Sequence, residues 1–224
     1  MTINLDTPPP PSSKKMFIHD HRLSMDPCLH PRLFYHHGQF LSQQLGPTPQ
    51  REMIPLFTFC STMVHQDIRV PNTYGWIEDD LLRANDPDWT YKLEERLGWR
   101  GSNTGIWHAE WTRWKQSHRD FLVDFANELN GTTQVLLPTK SGHEQVGSPK
   151  EIINSRLNPA MLDIAFAGKP IQCAEATCQL LETVQTWKKT QSLAEAGNYK
   201  YILDVGFHAR RLDGNFFLTF LIID

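Results

Sequence analysis

The run Trp99-Arg100-Gly101-Ser102-Asn103-Thr104-Gly105 combines residue types suited to holding an anion. A strand that feeds a turn of small residues and then a helix aims backbone N–H groups at a phosphate. Arg100 adds a permanent positive charge with bidentate capacity. Ser117, His118 and Arg119 follow near a predicted helix start, where negative charge is favoured. The run is neither the GxxxxGK[ST] loop nor the GxGxxG fingerprint. A tight turn with a surface arginine explains the same residues without a ligand.

His19-Asp20-His21 closes the short apolar run Met16-Phe17-Ile18. That pattern reads as a strand delivering polar side chains at its carboxyl end, where open α/β sheets bind ligands. An aspartate held there can take a proton from a nucleophilic hydroxyl. An aspartate that merely caps a turn is the plainer alternative. The spacing of His19, His21, His30, His36 and His37 matches neither HExxH nor a zinc finger, so no metal site is expected. In Trp76-Ile77-Glu78-Asp79-Asp80 an indole beside carboxylates could receive a sugar ring, or the segment is an acidic loop anchored by one Trp. No GxSxG elbow occurs. Asn130-Gly131-Thr132 is an N-glycosylation acceptor that matters only if the chain enters a secretory lumen.

Strands alternating with helices must position these groups. Leu56–Phe59, Leu97–Gly101, Thr133–Leu137 and Tyr199–Val205 read as strands, with Phe216–Ile223 as a further candidate. Leu33 to Leu45 suits a short helix closed by Gly46-Pro47, and residues 66–90 look irregular. Trp107, Trp111, Trp114, His118, Phe121, Leu122, Phe125 and Leu129 recur at helical spacing. Ser117 with Asp120 offers a capping signal, so the regular helix starts at Trp107 or only at Ser117. Residues 138–158 read as a long polar connection, Ala160–Ala167 as an apolar element and Cys173–Lys188 as a helix. The pattern predicts an α/β layered fold with a mostly parallel sheet.

Composition bounds the functional classes. A chain of 224 residues with 40% hydrophobic and 21% charged residues can build a real core. The formal charge of -3 disfavours nucleic acid and anionic membrane as main partners. The apolar runs are too short to span a bilayer, and the Pro-rich start has no signal-peptide core. Residues 1–15 read as a flexible leader and 16–224 as the folded part. Without a CxxC a zinc ribbon is not expected. Cys28, Cys60, Cys173 and Cys178 allow three full pairings. Cys173 and Cys178, five apart in one helix-like stretch, look poorly placed to bridge each other.

Several segments taken in order resemble one family. They are Leu97-Gly98-Trp99-Arg100-Gly101-Ser102-Asn103-Thr104-Gly105, Ser117-His118-Arg119-Asp120-Phe121-Leu122-Val123 and Asn198-Tyr199-Lys200-Tyr201-Ile202-Leu203-Asp204-Val205. Ser24–Pro31, Gly46–Arg51, Arg156–Met161 and Asp163–Gly168 support them. Over roughly residues 16–205 the chain resembles glycosyltransferase family ninety, the capsule-associated-protein group that includes the animal protein O-glucosyltransferases, and most of all its fungal branch.

The resemblance implies a two-domain, GT-B-like transferase with facing Rossmann-like halves. It implies inverting transfer of xylose or glucose from a UDP-sugar to a hydroxyl of a glycan or protein, with no metal or other cofactor. Asp20 falls on the family's general base, and Ser102 and Arg119 fall on its donor-diphosphate residues, with Arg100 and Gly101 beside them. Trp76 lies in the segment lining the sugar and acceptor. Arg210 matches the last donor arginine once a gap is allowed. Members work in the endoplasmic reticulum or Golgi lumen, although this chain shows neither signal peptide nor membrane segment. After Val205 the text departs from the family, and the amino end differs too, so the chain resembles the middle of a catalytic domain. A non-catalytic remnant acting as an interaction module is the alternative.

Overall fold

The computed structural model describes residues 26, 28–36, 41, 57–58, 68–70, 87–136, 149–203 and 205. The expected strands at Met16–Ile18 and Phe216–Ile223 lie outside them, as do Asp20, Trp76 and Arg210.

Strands β1 (Phe57–Thr58) and β2 (Ile68–Arg69) form a short parallel pair. The chain then runs through β3 (Glu94–Gly101), helix α1 (His118–Asn127), the antiparallel strands β4 (Thr132–Leu136) and β5 (Pro149–Ile153), and α2 (Asn154–Met161). It continues through β6 (Leu162–Ala167), α3 (Glu175–Val184), β7 (Trp187–Lys188), α4 (Leu193–Gly197) and β8 (Tyr199–Ile202). Among the described residues the main sheet has four strands in the order β7-β6-β3-β8, every neighbouring pair parallel. The α/β class with a mostly parallel sheet is therefore the observed one.

The period-two alternation of the strands sorts their side chains. Trp99, Ile164 and Phe166 pack against Leu122, Val123 and Ala126 of α1, with Leu97 and Leu162 beside them. Trp99 meets Phe166 edge-on at 5.9 Å, and Phe166 meets Trp187 at 5.1 Å. Each large side chain removed from water here contributes roughly 1.5–3 kcal/mol before entropy is counted. β6 is buried through Asp163, Ile164, Ala165 and Phe166, as a strand covered on both faces must be. A second cluster joins Ile106, Trp114 and Leu181.

The structure differs from the sequence reading at several elements. The regular helix begins at His118, with Ser117 as N-cap, and not at Trp107. The backbone of His108 is taken by a parallel bridge, accepting from Ala174 N and donating to Gln172 O at 2.9 Å each, so it cannot close helical bonds. Trp107 and Trp111 stay exposed, and Trp114 turns inward from a 3-10 turn, so their helical spacing reflects separate placements. The supposed polar connection contains β5 and most of α2, and Ala160 and Met161 end that helix before β6 begins. The expected helix from Leu33 to Leu45 opens as a 3-10 turn at Pro31–Tyr35, and Leu41 further on is helical.

Cys173 and Cys178 form a disulfide, against the expectation from their spacing. The reason is the true helix start. Ala174 is an extended N-cap with ψ 147°, so Cys173 lies before α3 and the chain bends between the two cysteines, bringing their Cα atoms to 5.4 Å. Cys173–Lys188 is likewise no single helix, since it ends at Val184 and β7 follows. Leu181 is buried, whereas Val184 at the end of α3 is half-exposed.

Candidate functional site

The strand order picks out a candidate site. From β3 the chain passes to β6 and on to β7 in one direction, then returns to β8 on the other side of β3. The order reverses between β3 and β8, and ligands of open α/β sheets bind outside the carboxyl ends of strands at such a reversal. The described residues leaving those ends are Gly101–Gly105, and Leu203 and Val205.

Arg119, in the first turn of α1, ties these two segments together. Its Nε and Nη2 donate to the Val205 carbonyl at 3.2 and 3.0 Å. Its Nη1 donates to the carbonyls of Ser102 and Thr104, each at 3.0 Å, and to Thr104 Oγ1. Asn103 is almost fully buried and fixes the loop from its other side. Its carboxamide donates to Ile171 O at 2.7 Å and accepts from Ile171 N at 3.0 Å. Ser102 Oγ lies 3.0 Å from Thr104 Oγ1. Gly101 has no room for a side chain, because a Cβ would stand 2.5 Å from the Trp99 ring. Gly105 has φ +113°, a backbone region that favours glycine.

Of the residues singled out from sequence, Gly101, Ser102 and Arg119 thus come together at the reversal point. Arg100 does not join them. Its Nη1 donates to Asp163 O at 2.7 Å and Trp99 O at 2.9 Å, and its Nη2 pairs with Asp163 Oδ1 at 2.7 Å. Strand alternation puts it with Arg96 and Gly98, facing away from Trp99. Asn130 is exposed in the turn after α1, remote from the loop.

Asp163 is a hub that sequence reasoning missed. Besides Arg100 it accepts from Lys188 Nζ at 2.7 Å and, through a short bond, from the Tyr199 hydroxyl, with Arg96 at 3.6 Å. Burial alone would raise its pKa, but the bonds from Lys188, Tyr199 and Arg100 outweigh it and hold the carboxyl well below the usual range. Burial, together with the same carboxylate, pushes the Tyr199 hydroxyl up. A single Asp inside the apolar run Leu162–Ala167 was the available signal.

A second network was only half visible. Asp120 Oδ2 accepts from Ser117 Oγ at 2.5 Å and lies 3.1 Å from His108 Nε2, and all three residues are buried. The Ser117–Asp120 spacing announced the cap, but nothing in the sequence announced His108. The carboxylate sits between hydroxyl and imidazole, so the imidazole cannot activate the serine as a nucleophile. This network fixes the start of α1, and with it Arg119. Among the described residues no cluster of three His, Cys, Asp or Glu side chains forms, and no helix is long and apolar enough to cross a membrane.

Comparison with family models, curated proteins and solved structures finds no match to this chain.

Proposed function

We propose that the chain is an inverting, metal-independent glycosyltransferase of the GT-B-like, two-domain kind, using UDP-xylose or UDP-glucose as donor. The observation that supports this is the Arg119 clamp. It fixes the small-residue loop after β3 and the segment after β8 against each other at the order reversal, where a nucleotide would sit. The four-stranded parallel sheet is one Rossmann-like half in this reading. Gly101 and the Ser102 hydroxyl meet the donor diphosphate, and Arg119 holds the loop that presents them. Arg210 supplies further positive charge, Arg100 acts through Asp163 as support for β3, and Trp76 lines the sugar and acceptor.

In the reaction the acceptor oxygen attacks the anomeric carbon from the face opposite UDP. The bond from that carbon to the diphosphate oxygen breaks, UDP leaves with its electron pair, and the hydroxyl proton passes to the Asp20 carboxylate. One base on that face suffices for inversion. The charge growing on the diphosphate is what loop amides and cations stabilise. Positioning of the two substrates supplies much of the remaining acceleration.

Isothermal titration with UDP, UDP-xylose and UDP-glucose tests the binding part, and no heat from any of them in a folded sample defeats it. Asp20→Asn should abolish transfer while leaving UDP heat nearly unchanged. A second reading, a non-catalytic interaction module that keeps the fold, draws on Arg100, whose guanidinium is committed to Asp163. A folded chain that binds no UDP-sugar would favour it.

A further inference from the structure

We propose that Asn130 carries an N-linked glycan and that the chain matures in an oxidising, glycosylating lumen. The proposal stands apart from the nucleotide reading and rests on two independent observations.

The first is the geometry of the acceptor turn. Asn130, Gly131 and Thr132 are all exposed. Gly131 takes φ +76°, turning the chain from α1 into β4. The backbone of the turn is pinned. Asn130 N donates to Glu128 Oε1 at 2.6 Å, and the Asn130 carbonyl accepts from Asn154 Nδ2 at 2.6 Å. Gly131 O accepts from Asn154 N at 3.1 Å. The main chain of Asn130 is thus satisfied, and its carboxamide has no hydrogen-bond partner among the described residues. A bulky polar substituent there extends into water and displaces no packing. It also leaves the proposed site clear. The turn follows the carboxyl end of α1 and Arg119 lies at its start, about 15 Å away along a helix of this length.

The second observation is the Cys173–Cys178 disulfide. Such bonds form and persist in oxidising compartments, which are also where N-glycans are attached. Its formation removes two protons and two electrons from the thiols, which pass to a disulfide-bearing oxidant. In the glycan transfer, Asn130 Nδ2 forms a bond to the anomeric carbon of a lipid-diphosphate-linked oligosaccharide. The bond from that carbon to the diphosphate oxygen breaks, the lipid diphosphate leaves, and the amide proton goes to the transferase's base.

The test uses the full chain purified from the cells that make it. Treatment with peptide N-glycosidase in heavy-oxygen water should increase gel mobility and convert Asn130 to heavy-labelled Asp. An untreated sample controls for spontaneous deamidation at Asn130-Gly131. Thr132→Ala, expressed in the same cells, should lose the mobility shift, while Thr132→Ser should keep it, which separates loss of the acceptor from misfolding. Alkylation of the denatured, unreduced chain should leave Cys173 and Cys178 unlabelled. An unmodified Asn130 peptide, a shift that survives Thr132→Ala, or alkylated Cys173 and Cys178 would each overturn the proposal.

Discussion

Arg119 Nη1 donates to the carbonyl oxygen of Ser102 at 3.0 Å, linking the first turn of a helix to the loop behind the central strand. The same guanidinium reaches Val205, beyond the neighbouring strand. A lysine has no planar fork and cannot serve three carbonyls from one position. Arg119→Lys should therefore cost about 2–3 kcal/mol in urea unfolding, the scale of lost charged hydrogen bonds. It should also weaken UDP binding roughly tenfold or more, a change of about 1.4 kcal/mol. A variant with unchanged titration and melting would show that the loop does not depend on this clamp.

Asp163→Asn leaves Arg100 buried beside a neutral amide. Breaking such a pair costs about 3–5 kcal/mol. The carboxyl pKa is depressed in the folded state, so its stabilisation is present above the unfolded value of about 3.9 and is lost as pH falls through that value toward the folded one. Unfolding free energy measured from pH 7 down to pH 3 should fall less steeply in the variant than in the parent. Equal slopes would mean that Asp163 does not dominate the acid limb.

Tyr199 titrates in the opposite sense. Its pKa is raised, so its contribution is present below the ordinary tyrosine value of about 10 and is lost as pH rises beyond it. Tyr199→Phe removes the bond to Asp163 and should cost about 1–2 kcal/mol at neutral pH. The alkaline loss of stability should flatten in that variant. A thermal melt unaffected by the substitution at pH 7 would argue against the bond.

Gly98 lies under the Tyr199 ring, and a Cβ there would stand 2.5 Å from Tyr199 Cδ1. Gly98→Ala should destabilise the chain by about 1–3 kcal/mol through overpacking. In a double mutant with Tyr199→Ala much of that cost should disappear, because the clashing ring is gone. Additive losses in the cycle would place the strain elsewhere.

Ser117→Ala removes the N-cap of α1 and a donor to the buried Asp120 carboxylate, and should cost about 1–2 kcal/mol. Ser117→Thr keeps the hydroxyl and should recover most of the loss in a thermal melt. An alanine variant as stable as the parent would show that His108 suffices to satisfy Asp120.

The fold class was legible because the apolar run of β6 stops at Gly168 and β3 runs into the small-residue turn that begins at Gly101, and such punctuation survives in any context. The start of α1 was ambiguous because Trp107, Trp111 and Trp114 mimic helical spacing while serving a turn. Only the bridge from His108 to Cys173, 65 positions apart, decides it, and no local pattern encodes such a pairing. The disulfide escaped for the same reason, since its geometry depends on where α3 begins. The types of Ser102 and Arg119 drew attention to the loop after β3, and the structure brings these two residues together there. The fate of Arg100 did not show, because it depends on Asp163 in a strand 63 residues later.

The central position of β3 has a cost during synthesis. Its partner on one side arrives only with β8, as the Lys200–Glu95 ion pair across 105 residues illustrates. Until then the nascent chain must carry an open edge of its middle strand, a template for wrong pairing with another chain. Among the described strands, the non-local pairing of β8 with β3 is therefore the step that closes this edge, and such pairings are intrinsically slow to form.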